Sequence, residues 1–242
     1  MDRLFVRHLA IWIDRSTFRR YIPPMNDDRL SGWALIAGSS GMIITMSLHP
    51  TGHISAAQME SMIPMLIAVH ALALACVPVL FLGTLGLARR LHSGHLAAVS
   101  GLVVFAFALI AVMNAAVADG LITPSVLRQI VESAGAQPAA DTWRMISHFN
   151  FYVNQAYAQV FVAGSSVALT LWSLAAWKNR EFSHGWSIYG CVLSLVSLAA
   201  MFSGHLPLDA HHFGGIIVGQ AIWFISGGVM LLRHPRQHLV VA

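Results

Sequence analysis

The chain has 242 residues, of which 57% are hydrophobic and only 10% are charged. A soluble domain of this length could not bury so much apolar surface, so the composition excludes an ordinary soluble protein and indicates a membrane protein. The formal net charge is +4, but the basic residues cluster at the ends of apolar segments. That distribution is typical of topology signals, and no nucleic-acid partner is expected.

The first segment of the chain is too charged to cross a bilayer. Residues 3–20 mix Leu, Phe, Ile and Trp with arginines and are followed by Pro23 and Pro24. This pattern predicts an amphipathic helix on the anionic cytoplasmic surface of the membrane, with a disordered basic tail as the alternative. Residues 1–30 are therefore predicted to form a cytoplasmic interfacial segment.

Apolar runs long enough to span a membrane then recur along the chain. They cover residues 31–48, 62–88, 94–118, 146–177, 186–204 and 213–232. Each contains about 18 or more residues with few charges, as a spanning helix requires. The sequence therefore predicts an all-α, polytopic fold, in which residues 31–233 form a six-helix transmembrane bundle and residues 234–242 form a tail.

Lysine and arginine predict how this bundle is oriented. Basic residues precede the first run and follow the second, fourth and sixth runs, at positions that include Arg29, Arg89, Arg90, Lys178 and Arg233. Such residues stay in the cytoplasm, so both termini are expected to be cytoplasmic in the inner (plasma) membrane. The HPTGH turn at residues 49–53, the loop 119–145 and the loop 205–212 would then face the periplasm or exterior.

The loop 119–145 contains a second amphipathic pattern. Thr123 is a candidate N-cap, Pro124 suits the first helical position, and apolar residues follow at helical spacing. We expect a short helix at the outer face, which could serve as a lid or as a plain connector.

Imidazole and carboxamide side chains recur at one height in the predicted bundle. Each lies about twenty residues from the cytoplasmic end of its helix, and the set consists of His49, His70, Asn114, Gln159, His205 and His212. The end of the bilayer explains part of this recurrence, because polar residues are expected there. It does not explain His70 and Gln159, whose helices continue for about two apolar turns beyond them.

A histidine-rich polar layer in a membrane bundle indicates a binding site. Neutral imidazole suits Cu, Fe, Zn and haem. The candidate metal ligands are His49, His70, His205, His211, His212 and Asp209. Haem b would need two facing rings, for which His70 with His205 or His212 is the best match in height. The candidates for side chains that orient the ligand rings are Asn114, Asp119, Gln155 and Gln159.

Three functions are consistent with these patterns. The first is an outward-facing site for a transition metal or haem, which would suit a membrane oxidoreductase. The second is a non-catalytic accessory subunit that docks to other membrane subunits or to a second copy of the chain. The third is transport of a small molecule or ion, although few polar residues line the cytoplasmic half of the predicted helices.

Overall fold

A computed structural model of the chain describes residues 27–49, 56–91, 96–133, 135–178, 182–203 and 210–233, without the side chains of residues 56–60, 210 and 211. The described residues form helices and short connections. In chain order these are α1 (Asp27–Leu48), α2 (Ala56–Leu91), α3 (Leu96–Val117), a π turn (Ala118–Ile122), α4 (Thr123–Glu132), α5 (Gln137–Trp177), α6 (His184–Phe202) and α7 (Ala210–Arg233). The predicted N-terminal helix and C-terminal tail lie outside the described residues.

Six helical segments are long and apolar enough to cross a membrane, and together they support a multi-pass membrane protein. They correspond to the six predicted runs. The second and fourth segments are longer than a bilayer requires: α2 has 36 residues and α5 has 41. Both helices therefore extend well beyond His70 and Gln159, as the sequence predicted.

The six long helices form a ring that follows the order of the chain. Helix α1 packs against α2 and α7, α2 against α3, α3 against α5, and α5 against α6, while a smaller contact between α6 and α7 closes the ring. We name the two ends of this bundle by their ionisable residues. His49 and Asp119 lie at the histidine end, and Asp28 and Arg90 lie at the arginine end.

A cluster of stacked aromatic rings lies in the half of the core toward the arginine end. Trp172, Trp186 and Trp223 form a stack in which the last two rings are 4.0 Å apart, and Phe105 packs against it. Trp186 and Trp223 each donate an indole N–H to the other's backbone carbonyl, at 3.0 Å and 3.2 Å. Aromatic stacking and satisfied indole groups stabilise this half of the bundle.

Glycine lets α1 and α7 approach closely at the arginine end. A Cβ atom on Gly32 would lie 2.8 Å from the carbonyl oxygen of Gly228, and one on Gly228 would lie 2.7 Å from that of Gly32. No larger side chain fits at either position without moving backbone. Close contact through small residues is how helices commonly associate in membranes.

The helix at Thr123–Glu132 differs in one respect from the amphipathic helix suggested by the sequence. Thr123 is not its N-cap, because Ile122 is itself helical, with φ −79° and ψ −50°. The π turn instead continues the helical path directly from α3 into α4. Pro124 and Val126 are buried, and Val131 is exposed.

Candidate metal centre

Three ionisable side chains from three elements meet at the histidine end. His49 follows the last residue of α1, His70 lies inside α2, and Asp119 lies in the π turn. The Nε2 atoms of His49 and His70 are 3.0 Å and 3.2 Å from the same oxygen, Oδ2 of Asp119. The two imidazole rings are 5.2 Å apart and nearly perpendicular. We call these three residues the His–Asp–His cluster.

The hydrogen bonds of His70 fix where one of its protons lies. Its Nδ1 is 2.8 Å from the carbonyl oxygen of Leu66, which can only accept, so Nδ1–H donates this bond. The other nitrogen, Nε2, faces a carboxylate oxygen of Asp119. A lone pair there would face another lone pair, unless a proton or a metal ion lies between them. A proton or a metal ion must therefore lie between His70 Nε2 and the Asp119 carboxylate.

A π turn aims the Asp119 carboxylate at the two histidines. Its wider loop is closed by the backbone N–H of Thr123, which donates to the carbonyl oxygen of Ala118. The buried Asn150 of α5 donates at 2.9 Å to the same carbonyl and at 2.9 Å to the Thr123 hydroxyl. One extra residue per turn rotates the subsequent residues relative to their positions in an α-helix, and π turns are frequent at functional sites.

Gly120 allows the π turn to lie directly on His70. A Cβ atom at position 120 would fall 2.1 Å from Cβ and 2.5 Å from Cγ of His70, so any side chain here would force His70 to move. The absence of a side chain at this position therefore sets how closely Asp119 and His70 approach.

The cluster borders a cavity of about 310 Å³. All three members line it, together with mostly apolar residues of α1, α2, α3, α5 and α7. Its polar lining also includes Thr45, Asn154 and Gln155. A volume of this size is at the lower end of the range for small-ligand sites, about 300 to 1,000 Å³.

The spacing of the cluster is compatible with a transition-metal ion. Nitrogen and oxygen ligands lie about 2.0 to 2.2 Å from zinc, and two ligands at angles of about 90 to 110° are about 3.0 to 3.4 Å apart. The two N···O distances, 3.0 Å and 3.2 Å, fall in that range. All three ligand atoms lie within 4.8 Å of one another, so the two imidazole nitrogens would have to approach each other by up to about 1.4 Å to bind one ion at these distances.

The structure brings together only part of the predicted site. His49, His70, Asp119 and Gln155 all line the cavity. The side chains of Asn114, Gln159 and His212 are exposed. Asn114 donates at 2.8 Å to the carbonyl of Ile110 in its own helix. His205, Asp209 and the side chain of His211 lie outside the described residues, so their part in the site stays a prediction.

Sequence reasoning missed Asn150 and Gly120 and gave Asp119 a secondary role. Asn150 lies two turns above the polar layer when counted along α5, so counting residues separated it from the site. The pair Asp119–Gly120 carries a weak signal, since a charged residue beside glycine is unusual within an apolar run. No pattern in the sequence predicts the π turn that rotates the carboxylate inward.

Comparison of the chain with protein-family models, curated proteins and solved structures found no match. Its function is therefore inferred from the geometry of the His–Asp–His cluster and its cavity.

Proposed function

We propose that this multi-pass membrane protein binds a transition-metal ion through His49, His70 and Asp119. The observation that supports this most strongly is the convergence of two imidazole nitrogens on one carboxylate oxygen at 3.0 Å and 3.2 Å, beside a cavity. Two histidines and one carboxylate form a ligand set typical of Zn and non-haem Fe sites, and it also suits Cu.

The donor set argues against other cations. Mg²⁺ and Ca²⁺ prefer oxygen ligands, whereas two of the three donors here are imidazoles. Haem between His49 and His70 would need its macrocycle in the space where Asp119 Oδ2 already lies 3.0 Å and 3.2 Å from the two rings. A single metal ion therefore fits the cluster better than haem b does, while haem between His70 and His205 or His212 stays a prediction.

The cavity bears on what a bound metal would do. Three protein ligands leave at least one coordination position for water or substrate, as in catalytic metal sites. Because the cavity meets all three ligands and is mostly apolar, that position would be reached by a small, largely apolar molecule. This arrangement favours a catalytic metal site, as a membrane oxidoreductase would have, over a purely structural one, which would normally be closed.

The charged residues support an orientation for the site. Arg89, Arg90 and Arg233 lie in the last turns of α2 and α7, at the arginine end. The positive-inside rule then gives cytoplasmic termini and a metal site that opens to the periplasm or exterior of the inner membrane. In this orientation the predicted N-terminal helix would lie on the cytoplasmic surface and α4 at the outer face.

The alternatives are an accessory subunit and a transporter, and neither requires a metal ion that stays bound through purification. They are separated from the proposal by elemental analysis of untagged protein purified in mild detergent, followed by titration with Cu, Fe and Zn. We expect about one equivalent of metal per chain, lost in His70→Ala because a ligand is removed. The matched control is His184→Ala, since His184 is an exposed histidine against Trp177 at the start of α6.

A well-folded wild-type protein that binds none of these metals would overturn the metal proposal and favour the accessory or transport role. Equal metal loss in His70→Ala and His184→Ala would also count against it, because binding would then not depend on the cluster.

A further inference from the structure

Two methionines line the same cavity as the His–Asp–His cluster. Met42 and Met46 lie on α1, seven and three residues before His49, which directly follows the helix. At this helical spacing the three side chains point to the same side, and all three line the cavity. Met42 is buried, and the methyl group of Met46 lies 3.4 Å from the position of a Cβ atom on Gly214 of α7. The cavity thus offers thioether donors beside imidazole and carboxylate donors.

These donor types do not suit all transition metals equally. A thioether is neutral and soft, and among biological metals it selects Cu(I). Imidazole binds copper in both oxidation states, whereas carboxylate oxygen suits Cu(II) and harder ions. Zinc and non-haem iron sites in proteins are typically built from imidazole, carboxylate and thiolate ligands. A cavity that presents all three donor types therefore matches copper better than it matches zinc or iron.

We propose that the metal is copper, and that the Met46 thioether joins His49 and His70 as a ligand of Cu(I), while Asp119 contributes when the ion is Cu(II). This inference rests on the proposed function, since it names the metal of that site. Met46 is chosen over Met42 because it lies about one turn from His49 rather than two.

Methionine has a second common role that must be separated from metal binding. Its flexible side chain fills irregular gaps in a core, and this would explain Met46 without any ligand. Leucine has a similar volume and keeps such packing, but it has no sulfur. Met46→Leu therefore removes the donor and preserves the contact.

The test compares three proteins: the wild type, Met46→Leu and the control Met113→Leu. Met113 is 41% exposed on α3 and does not line the cavity. Cu(I) affinity is measured without oxygen by competition with a coloured Cu(I) chelator, and Cu(II) and Zn(II) affinities by direct titration. In Met46→Leu we expect Cu(I) affinity to fall by about tenfold or more, and the other two by less than about threefold. Met113→Leu should match the wild type for all three ions.

The outcomes distinguish this inference from the proposed function. If Zn(II) and Cu(II) bind but Met46→Leu retains wild-type Cu(I) affinity, the thioether is not a ligand and the copper inference is overturned, while the metal site stands. If folded wild-type protein binds none of the three ions, both fail. Should Met46→Leu not fold, X-ray absorption of the Cu(I)-loaded wild type decides: a copper–sulfur contribution supports the inference, and a shell of nitrogen and oxygen alone overturns it.

Discussion

The Arg90–Asp28 pair at one end of the bundle and the His–Asp–His cluster at the other both place ionisable side chains largely out of solvent, but they balance charge differently. Arg90 donates to Asp28 at 2.8 Å, and their side chains are 6% and 16% exposed. A permanent cation faces a carboxylate, so this pair needs no further ion. The histidines are cations only when protonated, so their carboxylate partner can equally be shared with a metal.

The two groups also differ in whether they border an open space. The cavity at the histidine end is lined by every member of the cluster. The groove at the arginine end is lined by the outer residues Asp27 and Arg89, and the inner pair does not line it. Burial of charge alone therefore does not indicate a functional site. Buried charge that lacks a permanent counter-ion and borders a cavity is the more informative combination.

The largest expected effect comes from breaking the structural pair. Arg90→Met removes the guanidinium that lies 2.8 Å from the largely buried Asp28 carboxylate, and it should lower the free energy of unfolding by about 3 to 5 kcal/mol. Unfolding in detergent measures this. Arg89→Met is the control, because Arg89 and Asp27 are about two-thirds exposed and 4.0 Å apart, and it should cost no more than about 1 kcal/mol. Equal destabilisation by the two variants would contradict the structural role of Arg90.

The next effect tests the cluster itself. Asp119→Asn keeps the shape of the side chain but removes the charge that both imidazoles contact. Loss of a residue that only orients a ligand typically costs 10-fold to 100-fold in metal affinity, so loss of a ligand should cost about 100-fold or more. Metal titration measures this. Retention of wild-type affinity would exclude Asp119 as a ligand.

A third variant is expected to displace the ligand His70 without removing it. In Gly120→Ala the new methyl group would overlap Cβ and Cγ of His70, so the ring must move. We expect metal affinity to fall by about tenfold and stability by about 1 to 3 kcal/mol, as for other overpacked sites. Gly135→Ala is the matched control, since a Cβ there meets nothing within 4 Å. If Gly120→Ala kept the metal affinity and the stability of the wild type, the π turn would not lie directly on His70.

The smallest effect concerns the support of the π turn. Asn150→Ala removes two hydrogen bonds, to Ala118 and Thr123, and should cost about 1 to 2 kcal/mol with a loss of metal affinity of up to about tenfold. Asn114→Ala serves as the comparison, because Asn114 is exposed and bonds only to its own helix among the described residues. If the two variants weaken metal binding equally, Asn150 does not position Asp119.

The fold was more accessible from the sequence than the site was. Apolar runs and the position of basic residues predict six spans, because both depend on the thickness of the bilayer. Counting residues along a helix gives the height of a side chain but not its direction around the bundle. His49 and His70 were therefore found, whereas Gln159, at a similar height, turned out to be exposed. The role of Asp119 depends on the π turn, whose extra residue per turn breaks the periodicity on which such counting relies.

The most direct test of the metal site is an anomalous-scattering map from crystals of metal-loaded protein, recorded at the absorption edge of the bound metal. The proposal predicts one strong peak within about 2.3 Å of the Nε2 atoms of His49 and His70 and of a carboxylate oxygen of Asp119. A peak centred instead among His205, His211 and His212, or no peak in a protein that binds metal in solution, would contradict the assignment of these three residues as the metal site.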